Sequence, residues 1–199
     1  GIMNVHPNYF GSGVARSLLQ HIVDFAQRRG SSSLRLIQSA LNLDSFSLYT
    51  RGGFVPRYAY QDMLLSVPEG GLDRTFPGQE RVRRARIQDV AALTALEREI
   101  SGISREKDFR YFIENRDGLW GALVYEEPQG IAGCLFTLQH PGLPLLGPGL
   151  ARTEEQATAL LARGLDGYRG KTPLFLVPVE CAHLVQQMYA LGARNCELH

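Results

Sequence analysis

The sequence predicts an α/β fold, and three observations carry that prediction. Stretches with the apolar spacing of amphipathic helices alternate with short apolar runs suited to strands. Glycines and polar cap residues fall at the junctions between them. The same helix–strand–helix series then recurs in the two halves of the 199-residue chain.

Residues 1–6 are short and apolar and are expected to form a buried strand. Val5-His6-Pro7-Asn8-Tyr9-Phe10-Gly11-Ser12-Gly13-Val14-Ala15 then reads as strand end, glycine turn and first helical turn. From Val14 onward Leu18, Leu19, Ile22, Val23, Phe25 and Ala26 line one helical face, and Gly30 stops it. Leu34–Ile37 predicts a strand, and Asn42, Asp44 or Ser45 caps a short helix through Phe46, Leu48 and Tyr49. Phe54 to about Val67 predicts one or two further strands.

Pro68–Gly78 is rich in glycine and proline and is the linker candidate. Beyond it, Val82–Ile87 suits a strand, helices follow with Val90, Leu93, Leu96 and Ile100 and then over about 105–114, and Leu119–Tyr125 with Ile131–Leu138 reads as a hairpin. Leu143–Leu146 suits a short strand. Thr153-Glu154-Glu155-Gln156 is a capping-box pattern opening a helix to about Tyr168, followed by a strand at Leu174–Val177 and a helix through Leu184, Val185, Met188 and Leu191.

The two halves match in detail. Leu18-Leu19 recurs as Leu160-Leu161 at an offset of 142, Leu34-x-Leu36 as Leu174-x-Leu176 at 140, and Tyr49-x-x-Gly52 as Tyr189-x-x-Gly192 at 140. A repeat of this kind predicts domains at 1–67 and 81–199 with a linker at 68–80, the first copy lacking about sixty residues at its front and the second ending short. The chain is therefore expected to be a fragment of a longer two-domain protein.

Composition narrows the function classes. Hydrophobic content of 44% with 21% charge supports a real core. A net charge of +1 argues against general binding to nucleic acid or to a membrane surface, and Arg81-x-Arg83-Arg84-x-Arg86 is better read as linker and strand start. No apolar run approaches the roughly 18 residues that cross a bilayer. Three cysteines without paired spacing suit a reducing, cytoplasmic setting, although the chain opens with Gly and a missing targeting segment is left open. Cys181-x-His183 and Cys196-x-x-His199 supply too few closely spaced ligands, so no metal is expected. Asp108, Glu114 and Asp117 are either a general base or solvated helix faces.

The glycine turn is the chemical centre of the reading. Two glycines around a serine leave backbone N–H groups uncovered at a helix N-terminus, where the helix dipole favours an anion such as phosphate; Gly-x-Gly also closes ordinary turns. Val5-x-Pro7 with Phe10-x-x-Gly13-x-Ala15 resembles the strand-to-helix signature of the GNAT superfamily of acyl-CoA N-acyltransferases, Gln/Arg-x-x-Gly-x-Gly/Ala, with Phe10 where that family has Gln or Arg. Asn42-x-x-Ser45-Phe46-x-Leu48-Tyr49-x-x-Gly52-Gly53-Phe54 resembles its Asn…Tyr…Gly-Phe segment.

The resemblance implies a mixed, mostly antiparallel sheet flanked by helices, in two tandem copies with the first incomplete. It implies that Phe10, Gly11, Ser12, Gly13, Val14, Ala15 and Arg16 hold the pyrophosphate of acetyl-CoA, and that Met3, Asn4 and Val5 offer backbone groups to the acetyl carbonyl and pantetheine amides. Asn42 would bond the pantetheine arm or nearby backbone, and Tyr49 would protonate the departing thiolate. From the residues alone, Tyr49 is equally an aromatic packing a helix on a sheet, and Asn42 a helix cap.

In the second copy the loop is expected at Leu146-Gly147-Pro148-Gly149-Leu150-Ala151-Arg152, where Pro148 has no N–H to offer, so that copy reads as degenerate. The implied activity is acetyl transfer from acetyl-CoA to an amine, small molecule or peptide. The alternative is a non-catalytic acyl-CoA-binding or scaffold module. Self-association is left open.

Overall fold

The computed structural model describes residues 2–199. Its contacts divide the chain into two compact units, one running to Tyr58 and including His199, the other Ala59–Leu198.

The first unit is built on two helices. A single 3-10 turn at Pro7–Tyr9 leads through Gly11 and Gly13 into helix α1, Val14–Arg28, which ends at Arg29 before Gly30. Helix α2, Leu43–Arg51, starts at Asn42 and ends at Gly52. The two helices are pinned at Gly52, where a Cβ would lie 2.9 Å from Leu19 Cδ2. Leu19 is the one buried side chain among the described residues of this unit. Leu18, Ile22 and Phe25 on the same helix remain 40–49% exposed. The strands expected at residues 2–6 and 34–37 are not formed: both segments are extended without a ladder. A strand exists only where a neighbour takes its N–H and C=O groups, and the described residues of this unit provide no such neighbour.

The second unit is organised around one seven-stranded sheet. Its strands are β1 (Tyr60–Leu64), β2 (Val82–Arg84), β3 (Trp120–Glu127), β4 (Gly130–His140), β5 (Leu143–Ala151), β6 (Leu174–Pro178) and β7 (Arg194–Leu198). Their order is β2-β3-β4-β5-β6-β1-β7, and every pairing is antiparallel except β5 with β6. Of the 54–67 stretch read as strand, only 60–64 is one, and it lies between β6 and β7. Residues 68–80 carry Phe76 into burial and pack Leu72 against the main core.

Helices α3 (Val90–Ser101) and α4 (Glu106–Glu114) cover one face, and α5 (Glu154–Leu165) covers the other, with α6 (Ala182–Ala190) beside it. The period-two alternation of β4 sets this division: Cys134 and Phe136 join Leu93, Phe109 and Val124, whereas Leu135 joins Leu146, Leu160 and Leu165. Phe109 and Phe136 stack with centroids 5.3 Å apart, and Trp120 lies against Phe112 at 4.2 Å. Arg83, from the basic cluster, is held in a charge network. It makes two hydrogen bonds to Asp89 (2.8 and 3.0 Å) and two to Glu126 (2.7 and 3.0 Å).

The parallel pair β5–β6 is short. It spans only Leu145↔Leu174 and Leu146↔Phe175; beyond Leu146, β5 continues paired to β4 alone. The chain leaves β5 into α5.

Candidate functional site

In the first unit the glycine turn is a set of donors without acceptors. Gly11 (φ 76°) and Gly13 (φ 85°) take left-handed backbone that an L side chain resists. Gly13 is the N-cap of α1 and supplies no capping side chain, and no acidic residue stands in the first turn. Ser17 N–H reaches Gly13 O at 3.0 Å, the first bond of the helix. The N–H groups of Gly11, Gly13, Val14, Ala15 and Arg16 have no acceptor among the described residues. Ser12 departs from expectation: its N–H turns inward to Tyr9 O at 3.3 Å and its hydroxyl donates to the same oxygen at 2.5 Å. Phe10 is 72% exposed and caps the 3-10 turn. Met3 and Val5 are half-buried, Asn4 exposed, all in extended chain ahead of the turn.

Asn42 is the N-cap of α2, its Oδ1 accepting from Ser45 N–H at 3.0 Å. Tyr49 lies in the last turns of α2, half-buried, its ring edge-to-face with Phe54 at 6.0 Å. The Tyr49 hydroxyl has no hydrogen-bond partner among the described residues, so it is available to a bound group. The carboxylates considered as bases all lie in the second unit. There Glu114 pairs with Arg116 at 2.8 Å, Asp117 accepts from the Tyr111 hydroxyl at 2.8 Å, and Asp108 is exposed.

In the second unit, helix α5 begins with its donors covered. The N-caps Gly13 and Thr153 stand 140 residues apart, and each cap carbonyl receives the first helical bond. The loop expected at 146–152 is therefore mostly strand β5, and the counterpart of Gly13 is Thr153. Thr153 and Gln156 form the predicted capping box. Glu154 and Glu155 occupy the first turn, and Glu154 Oε2 accepts from Leu184 N–H of α6 at 2.8 Å. One carboxylate thus serves the starts of two helices.

The ends of α2 and α6 are alike in backbone geometry. Asn42 (φ −87°, ψ 81°) matches Cys181 (φ −81°, ψ 69°), an offset of 139. The terminal hydrogen bonds agree: Gly53 N–H to Thr50 O and Phe54 N–H to Tyr49 O recur as Gly192 N–H to Tyr189 O and Ala193 N–H to Met188 O. The position of Tyr49 is therefore taken by Met188, fully buried, and not by Tyr189. Tyr189 donates instead to Gln61 Oε1 at 2.6 Å.

Comparisons with known proteins agree with the geometry. Residues 2–54 match the model of the Acetyltransferase (GNAT) family. No curated protein matches the chain. Among solved structures, a Pyrococcus horikoshii protein provisionally assigned as an acetyltransferase superposes with a TM-score of 0.71 at 16% identity, covering 100% of this chain and 62% of its own. A tandem GNAT protein from the clavulanic acid biosynthesis pathway gives 0.57 at 15% identity, covering 98% and 70%. A GCN5-related N-acetyltransferase from Sphaerobacter thermophilus gives 0.54 at 19%, covering 98% and 68%. The chain has the mixed α/β fold of these proteins, a mostly antiparallel seven-stranded sheet flanked by helices, and spans less than two thirds of the Pyrococcus protein.

Proposed function

We propose that residues 2–54 carry the acetyl-CoA site of an N-acetyltransferase, in a protein of tandem GNAT-like domains whose second copy, residues 81–199, is degenerate. The observation that carries this reading is the bare start of α1: five N–H groups without acceptors, two left-handed glycines, no carboxylate, and Arg16 alongside. That donor set fits a pyrophosphate, because oriented N–H groups and the positive helix end both favour anionic oxygens.

The backbone of Gly11, Gly13, Val14, Ala15 and Arg16 would hold the pyrophosphate. Asn42, with its Oδ1 engaged in the cap, keeps an amide NH2 for the pantetheine arm. Acetyl-CoA supplies an activated acyl thioester, which a neutral primary amine attacks directly. Met3–Val5, extended and without ladder partners, offer backbone groups to orient it. Tyr49 would give its phenolic proton to the departing thiolate sulfur, the acylated nitrogen would lose its extra proton to solvent, and solvent would return a proton to the phenolate. The tandem GNAT protein among the similar folds supports the two-copy reading.

The closed start of α5 and the exchange of Tyr49 for Met188 support assigning chemistry to the first copy alone. Phe10, in place of a polar side chain at the family signature, favours a second reading: an acyl-CoA-binding module without turnover. Calorimetry with CoA and turnover of acetyl-CoA over an amine panel separate the two. Binding with turnover is expected; absence of CoA binding would falsify both. Tyr49→Phe is expected to lower turnover about 100-fold with little change in CoA affinity. Unchanged turnover would remove Tyr49 from the mechanism.

A further inference from the structure

The loop that carries the idle N–H groups of α1 also carries the most exposed aromatic side chain among the described residues. Phe10 is 72% exposed, against 61% for its neighbour Tyr9 and 49% for Phe25. Tyr9 is tied into the turn. Its ring stands edge-to-face with His6 at 6.4 Å, and its carbonyl takes both the N–H and the hydroxyl of Ser12. The Phe10 ring has no such anchor: among the described residues it meets no aromatic ring and no cation, and solvent reaches both its faces.

The backbone on either side of this ring is fixed. Phe10 N–H donates to Pro7 O at 3.0 Å and closes the 3-10 turn. Gly11 follows in left-handed backbone (φ 76°), with open space where a Cβ would stand. The ring therefore sits on a short, hydrogen-bonded loop, one residue before the first idle N–H, and Gly11 has no side chain to cover it.

CoA joins its pantetheine arm through a pyrophosphate to an adenosine. Backbone N–H groups suit the pyrophosphate but offer nothing to the face of a purine, whereas an exposed aromatic ring does. A Gln or Arg at position 10, as in the family signature, would add a polar contact to an anion; Phe10 exchanges that contact for a π face.

We infer that the Phe10 ring stacks on the adenine of CoA, so that the site prefers an acyl donor carried on a nucleotide to one carried on phosphopantetheine alone. The inference rests on the acetyl-CoA reading given above and holds with or without turnover.

The test is calorimetry of the full chain with CoA and with 4′-phosphopantetheine, which lacks the adenosine. Phe10→Ala, at this exposed position, is expected to weaken CoA binding about tenfold and phosphopantetheine binding less than about twofold. Phe10→Leu, apolar but without a π face, is expected to match Phe10→Ala, and Phe10→Trp to bind CoA at least as tightly as the parent. Phe10→Trp gives a second readout: CoA is expected to quench its added indole fluorescence and phosphopantetheine to leave it unchanged, with the parent, whose one tryptophan is Trp120, as the blank. If the parent binds CoA and Phe10→Ala binds it equally well, weakens both ligands alike, or is outdone by a fully competent Phe10→Leu, the stacking is overturned and the CoA site stands. If the parent binds no CoA, both are overturned.

Discussion

Helices α1 and α5 stand one in each unit and begin in opposite surroundings. At α1, glycine backbone and five idle N–H groups face outward. At α5, Thr153, Gln156 and Glu154 satisfy the helix from within the chain. The units differ in the same sense throughout. Every described buried side chain except Leu19 lies in the second unit. A helix end that its own chain satisfies is a structural joint, whereas one left bare is a ready anion site. The same fold can therefore keep or lose a ligand through two or three residues at one turn.

The most direct way to break the contrast is to import the second unit's carboxylate into the first. Val14→Glu places an acidic side chain at the position equivalent to Glu154. Val14 is 38% exposed, so folding should be little affected. CoA affinity is expected to fall about 100-fold by calorimetry, through repulsion of the pyrophosphate and loss of the anion preference at the helix end.

The charge network of the second unit is the next largest lever. Arg83→Met removes five side-chain hydrogen bonds, two of them to the largely buried Asp89, and is expected to cost about 2 kcal/mol in urea unfolding. It should also change the acid limb. Hydrogen bonds from Arg83, foremost, hold the Asp89 carboxyl below the usual carboxylate range. A folded value below the unfolded one means that the unfolded chain takes up its proton first as pH falls. The stabilisation is thus full above about pH 4, the ordinary unfolded value, and fades as pH drops through the folded one. Urea midpoints measured from pH 6 downward should fall less steeply in Arg83→Met than in the parent chain.

Glu154→Ala tests whether the carboxylate is a joint. It leaves Leu184 N–H without its acceptor and should cost about 1.5 kcal/mol. No CoA binding should appear in the second unit, because Thr153 and Gln156 still cap α5 and Met188 still fills the place of Tyr49. The smallest effect is expected for Asn42→Ala, about 1 kcal/mol from loss of the cap bond to Ser45 and confined to α2. Amide exchange in residues 43–51 would read it.

Much of the fold was legible because its signals are local. The helical spacing from Val14, the capping box at Thr153, the hairpin around residues 126–130 and the glycine stops are properties of adjacent residues, and the structure has them in place. Strands were less legible. Leu34–Ile37 and Leu174–Val177 look alike in sequence, but only the second lies beside strands that complete its hydrogen bonds.

By itself, the sequence determined the class of fold, most of the helices, and the glycine turn ahead of α1. These follow from periodicity, from φ freedom at Gly11 and Gly13, and from helix caps, all set within a few residues. Only the tertiary structure decided which helix start is left open. Whether a donor is free depends on what else reaches it, and Glu154 reaches Leu184 across thirty residues. Only the terminal hydrogen bonds of α2 and α6 set Met188, one residue before Tyr189, at the same place in its helix end as Tyr49. A single-residue shift on a helix turns a side chain by about 100°, which separates a buried methionine from a surface phenol.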